Sequence, residues 1–257
     1  MTLRLSTALR DYVNAHGSMK DALHNGEIKI YTGAQPASAD SAPSGTLLVT
    51  ITAASAARTA EVLATGSVTL TGGAAGSIDT LTVDSVSIID AAVPYNTSLS
   101  QTATDLATAI NNCQTHPNYK ASASGAVVTI SAMRGTGAAP NGFVVASTVT
   151  TITKTDANMA SGVAAVNGLK FGVSTDGVLA KLASQVWSGV AADSGTAGWF
   201  RFTGGVADSG VGDTDDLQVR LDGAISTSGA QLNMSSTTIT AAATQTIASF
   251  PLTLPAS

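Results

Sequence analysis

Gly26-Glu27-Ile28-Lys29-Ile30-Tyr31-Thr32-Gly33-Ala34-Gln35-Pro36 decides the class of fold. Ile28 and Ile30 alternate with Glu27, Lys29 and Tyr31, the two-residue period of a strand that keeps one face inward. Gly33 to Pro36 then closes the run with turn chemistry. After a polar loop, Thr46–Thr52 repeats the pattern with Leu47, Val49 and Ile51 on one face, so a β-sheet is expected to start here. Upstream the period is helical. Leu5, Leu9, Tyr12 and Val13 recur at helical spacing, with Ser6 as N-cap and Gly17 as stop, and Ser18 heads a second short helix over Met19–Asn25 that ends at Gly26.

Composition narrows the class further. Of 257 residues only 11% are charged and 4% aromatic, against roughly 25% charge in an ordinary soluble domain. Hydrophobic residues still make up 44%, which sets the chain apart from disordered sequences and leaves enough to bury a core without disulfide staples. The longest apolar stretches, Leu47-Leu48-Val49 and Ile88-Ile89, fall far short of the roughly 20 residues of a membrane helix, so no membrane partner is expected. The first residues lack an apolar core with a small-residue cleavage site, and export through the Sec route is not expected. A single cysteine, Cys113, excludes an intrachain disulfide and a multi-cysteine zinc site. A net charge of −5 lacks the electrostatic footprint of a nucleic-acid binder.

From Gly66 the texture changes to short β-rich runs, Ser67–Thr71, Ile78–Val83 and Val86–Asp90, broken at Gly72-Gly73 and Asp84-Ser85. The clearest helix follows, with Leu99, Ala103, Leu106, Ile110 and Cys113 on one stripe and His116-Pro117 at its end. Tyr119–Ser124 and Ala126–Ala132 flank Gly125 as a hairpin, and Gly142–Thr153 adds a Val- and Thr-rich stretch. Asp156–Ala165 reads as a linker. Strands resume at Leu169–Val173, Gly198–Thr203, Leu217–Leu221, Ile239 and Ile247–Leu254, with a turn-rich loop over Gly204–Asp216. The expectation is a mainly β protein: an antiparallel, jelly-roll-like β-sandwich with N-terminal helices, built from residues 1–66 and 156–257 and split by a small inserted α+β domain at residues 67–155.

No constellation for chemistry emerges. His16, His24 and His116 all fall near predicted helix ends, where a cationic side chain complements the helix dipole. No Gly-x-Ser-x-Gly elbow joins a strand to a helix. Gly72-Gly73-Ala74-Ala75-Gly76 and Gly135-Thr136-Gly137 lack the Lys and Ser or Thr of a phosphate loop and read as turns. Asp208-Ser209-Gly210-Val211-Gly212-Asp213-Thr214-Asp215-Asp216 is the best cation-loop candidate, yet it misses the EF-hand pattern with its closing Glu, and a solvated loop is favoured. Cys113 on the helix stripe reads as a small buried hydrophobe rather than a reactive thiol. Trp199, between Gly198 and Phe200, reads as core or subunit interface rather than a sugar-stacking platform, and Trp187 invites the same comparison. No catalytic, cofactor-binding or metal-ligating residue is therefore assigned, no cofactor is expected, and an enzyme is not the expected class.

Two stretches carry a family resemblance. Gly26 to Asp40, reading GEIKIYTGAQPASAD, followed by Gly45-Thr46-Leu47-Leu48, resembles the opening of a group of small structural proteins of tailed bacteriophages. Gly198-Trp199-Phe200-Arg201-Phe202, then Asp222 to Met234 (DGAISTSGAQLNM), and then Ile247-Ala248-Ser249-Phe250 are similar to the way the same group closes. The resemblance covers about residues 1–64 and 165–257. Residues 67–155 look similar to a small module of phage tail and other virion proteins. What the resemblance implies is a virion structural protein, made in the bacterial host cytoplasm and located in the phage particle, with no catalytic residues carried over. Head decoration as a homo-oligomer, a trimer by family habit, against partners such as the major capsid protein is the leading expectation. A head–tail connector, a tail structural protein, or a tail-tip or fibre module binding the host are the alternatives.

Overall fold

The computed structural model describes residues 3–116, 118–211 and 218–253. Pro117, residues 212–217 of the acidic loop and of the strand predicted at Leu217–Leu221, and Leu254 at the end of the last predicted strand lie outside the described residues. The fold is mainly β, with antiparallel sheets and few helices, as expected of a sandwich-type protein. It divides into two compact units, residues 1–61 with 165–257 and residues 62–164.

In the first unit the opening helices form over Thr7–Ala15 and Met19–Leu23. Ser6 caps the first by accepting from the Leu9 N–H at 3.1 Å. Ser18 and Asp21 form a reciprocal capping box at the second, each side chain accepting from the other's backbone N–H. Leu5, predicted helical, instead belongs to the short strand Arg4–Leu5, because its backbone pairs with Leu221.

The main sheet has nine strands among the described residues. Its path runs Arg4–Leu5, Arg220–Ser226, Gly195–Thr203, Glu27–Thr32, Leu47–Ala53, Trp187–Val190 and Thr244–Ile247, every neighbour antiparallel. Leu232–Asn233 and Thr238–Ile239 pair at its margins, and Val178–Ala180 pairs separately with Pro251–Thr253. Leu169–Val173 is not a continuous strand: it is paired through isolated bridges, Gly26 with Leu169 and Phe171 with Lys181, and through the Gly172 N–H on the Ala180 carbonyl. The predicted strand at Ile247–Leu254 is likewise divided between Thr244–Ile247 and Pro251–Thr253.

Register explains the core. Phe202 lies opposite Ile28 and Leu221, and Phe200 opposite Ile30 and Gly223. Directly opposed residues share a face, so one side of the sheet is apolar. There Phe171, Trp187, Phe200, Phe202 and Phe250 make ring contacts at centroid distances of 5.4 to 6.3 Å. A Cβ on Gly223 would stand 2.6 Å from the Phe200 ring, so only glycine leaves that ring its place.

Among its described residues the second unit holds two four-stranded antiparallel sheets and one long helix. Ser77–Val83 pairs with Val145–Thr150, and Thr65–Gly72 pairs with both Thr153–Ala160 and Val127–Ala132, the last of which also pairs Tyr119–Ser124. Gly142–Thr153 is not one stretch but parts of two strands, separated at Thr151, whose φ is +63°. The first half of the linker predicted at Asp156–Ala165 is instead strand, because Asp156 and Ala157 pair with Val68 and Ser67 and the strand runs to Ala160. The edge of Val145–Thr150 is closed by side chains, with the Ser147 N–H donating to Asp156 at 2.8 Å and the Val145 N–H to Asn158 at 3.2 Å. The helix spans Leu99–Asn111 and buries Ala103, Leu106 and Ile110, with Leu99 half-buried at the margin of the same core.

Candidate functional site

The second face of the main sheet concentrates the polar chemistry of the chain. Opposite the Phe200 and Phe202 side lie Trp199, Arg201 and Thr203 from one strand and Arg220 and Asp222 from its neighbour, all buried. Arg201 donates from Nε and Nη2 to the two carboxylate oxygens of Asp222, at 2.8 and 2.7 Å. Arg220 does the same to Asp208 at 2.6 and 2.7 Å. Such paired bonds fix orientation as well as charge.

A strap crosses this face. Residues 34–45 leave the Glu27–Thr32 strand and return as Leu47–Ala53, and sheet side chains hold the strap's carbonyls. Arg201 Nη1 donates to the Ser41 carbonyl at 3.0 Å, and Arg220 Nη1 donates to those of Ala39 and Asp40 at 3.4 and 3.3 Å. Trp199 Nε1 donates to the Ser44 carbonyl at 3.3 Å, and Arg4 donates to that of Pro36. Asp40 in turn accepts from the Thr7 N–H at 2.7 Å, joining the strap to the first helix. Trp199 stacks on Tyr31 at 4.6 Å, with the Arg201 guanidinium 5.5 Å from the indole centre.

The electrostatics follow from this enclosure. Burial pushes Asp208 up, but the Arg220 hydrogen bonds, the Gly210 N–H and the charges of both arginines outweigh it and hold the carboxyl below the usual range. Burial pushes Asp222 up, against the pull of Arg201 and Arg220. Burial, then the charges of Lys170 and Lys20, push His24 down. The buried arginines and aspartates satisfy one another and the strap, so what the arrangement does chemically is clamp.

His16 and His24 are C-caps of the two short helices, but His24's surroundings disfavour its cation, so dipole capping by a charged ring does not describe it. The central helix ends at Asn111 with Asn112 as C-cap, which leaves His116 beyond its end. Cys113 is buried past the helix, its Sγ 3.4 Å from Asp90 Oδ1. Gly73 and Gly76 occupy the turn before Ser77–Val83 at φ of +109° and +101°. Asp208 is no solvated loop residue, being buried on Arg220, while Gly212 to Asp216 lie outside the described residues. Among the described residues no group of three or more His, Cys, Asp or Glu is placed to hold a metal ion. Trp187 and Trp199 are fully buried. Arg201, Arg220 and Asp222 as a buried set escaped sequence reasoning, and the signal available was Arg201 between Phe200 and Phe202 on one strand and Arg220 and Asp222 two residues apart on the next.

Comparison with protein-family models, with curated proteins and with solved structures finds no match.

Proposed function

We propose that this chain is a structural subunit of a tailed-bacteriophage particle, a head decoration protein that associates with its own copies and with the shell. The observation that carries the reading is that the two sequence stretches resembling small virion proteins pair with each other in the middle of one sheet. Glu27–Thr32 aligns with Gly195–Thr203, which aligns with Arg220–Ser226, and Arg201 and Trp199 fasten the strap of residues 34–45. The resemblance is thereby a property of one packed face, not of two scattered motifs.

The treatment of aromatic residues favours a scaffold over a glycan-binding tip. Trp187, Trp199, Tyr12, Tyr31, Phe171, Phe200, Phe202 and Phe250 are buried. Tyr95, Tyr119 and Phe143 are half-buried against the core of the second unit, so no ring stands free as a stacking platform. The net charge of −5 disfavours a place in the lumen against packaged DNA. Quantifying the chain on gels of purified particles tests the proposal. Hundreds of copies per particle are expected of a decoration subunit; about a dozen or fewer would place it at the neck or tail, and none would refute the virion reading. Immunogold labelling with antibody against residues 62–164 is expected to mark heads, and label confined to tails would refute decoration.

A further inference from the structure

Residues 171–181 form a narrow hairpin in the first unit. Gly172 N–H donates to the Ala180 carbonyl at 2.9 Å, and Thr175 and Val178 exchange backbone bonds at 3.0 and 2.9 Å. Asp176 and Gly177 turn the tip at φ of +51° and +75°, the two-residue primed turn that matches strand twist. The hairpin is rooted by Phe171, whose ring packs on Trp187, Phe202 and Phe250. This firmly held element presents Val173 at 84% exposure, the highest among the large hydrophobic side chains described.

Beside it lies a pocket of about 240 Å³ with walls from Met19, Leu179, Leu221 and Leu252 and with Lys20 among its lining residues. Ser174 and Gly177 of the hairpin form one side. Its volume is below the roughly 300 Å³ at which small-molecule sites begin, and its lining is that of a socket for an aliphatic side chain. Lys20 is the one charged residue of the lining, and Asp176 is exposed at the hairpin tip. Among the described residues neither makes an ion pair. An aliphatic knob with an acid beside it thus stands next to an aliphatic hole with a base among its lining residues, on the same chain.

We propose that this pocket receives Val173 of a second copy of the chain, with that copy's Asp176 set against Lys20. Knob and hole on one surface can be satisfied reciprocally in a two-fold pair, or head-to-tail in a ring where the rotation between copies closes. The inference deepens the self-association part of the proposed function and rests on it.

Sedimentation equilibrium on the purified full chain tests it. The native chain is expected to associate. Val173→Glu is expected to shift it to monomer with the circular dichroism of the native fold retained, since that side chain stands in solvent on the single chain. Lys20→Glu is expected to weaken association about tenfold, and Lys20→Glu with Asp176→Lys to restore it. A monomeric native chain, a Val173→Glu variant that associates as the native chain does, or a double variant no tighter than Lys20→Glu alone would overturn the inference. A chain that is monomeric in solution yet abundant on particles sinks this contact and leaves the virion assignment standing. A Val173-dependent oligomer that is absent from particles does the reverse.

Discussion

Arg201 and Asp222 lie directly opposite one another on paired antiparallel strands, joined by two hydrogen bonds of 2.8 and 2.7 Å, and Arg201 and Asp222 are 2% and 0% exposed. The remaining guanidinium nitrogen reaches across to the strap at Ser41. One ion pair therefore ties together two strands and the loop that covers them.

Removing one member leaves the other charged and buried, which costs about 3–5 kcal/mol. Arg201→Ala and Asp222→Ala are each expected to lower the unfolding free energy by that amount, seen as a lower urea midpoint. Replacing both, as Arg201→Met with Asp222→Leu, is expected to cost less than either single change, because no orphan charge remains. Urea melts of the three variants check it, and additive losses in the double variant would show that the pair is not coupled.

His24 gives stability a pH dependence near neutrality. Burial and the charges of Lys170 and Lys20 hold its folded-state pKa below the ordinary value, so the unfolded chain takes up the proton first and stability rises with pH. The contribution is present above about pH 6.5 and is lost as the pH falls through the folded-state value. Melting temperatures between about pH 5 and pH 8 are expected to fall on the acid side, and His24→Asn is expected to flatten the profile. An equally steep profile in that variant would assign the effect elsewhere.

The second unit is expected to be separable at its own boundary. Thr59 and Val166 exchange backbone hydrogen bonds at 3.1 and 3.0 Å, so the chain leaves and re-enters the first unit at adjacent positions, and a short Gly/Ser linker closes the gap at little entropic cost. Deleting residues 62–164 is expected to leave a soluble protein with one cooperative melt. Deleting only residues 67–155 cuts the Thr65–Gly72 and Thr153–Ala160 strands and is expected to aggregate through their unpaired stubs. Circular dichroism melts of both deletions decide the matter.

Leu106, fully buried on the central helix, is expected to cost about 2–5 kcal/mol on truncation to Ala. The loss should appear as faster amide exchange over Leu99–Asn111 and the Tyr119–Ser124 and Val127–Ala132 strands. Unchanged exchange there would mean that the helix does not pack through this residue.

Much of this was legible along the chain. The alternation at Ile28 and Ile30, the stripe through Ala103, Leu106 and Ile110, and the caps at Ser6 and Ser18 are patterns of near neighbours, and near neighbours alone dictate them. The failures are also instructive. Leu169–Val173 has strand composition but finds no continuous partner, and Asp156–Ala165 has linker composition but its first half finds one in Thr65–Gly72. Strand formation depends on pairing, and composition does not name the partner.

The sequence by itself determined that this chain is β-rich and where its helices begin, because periodicity and capping act over a few residues. Only the tertiary structure decided that Arg201 and Arg220 are buried. Read locally, a charged residue on a strand belongs to the solvent side. Their partners are Asp222, Asp208 and strap carbonyls up to 181 residues away in sequence, and only folding brings those groups close enough to offset the desolvation of a guanidinium.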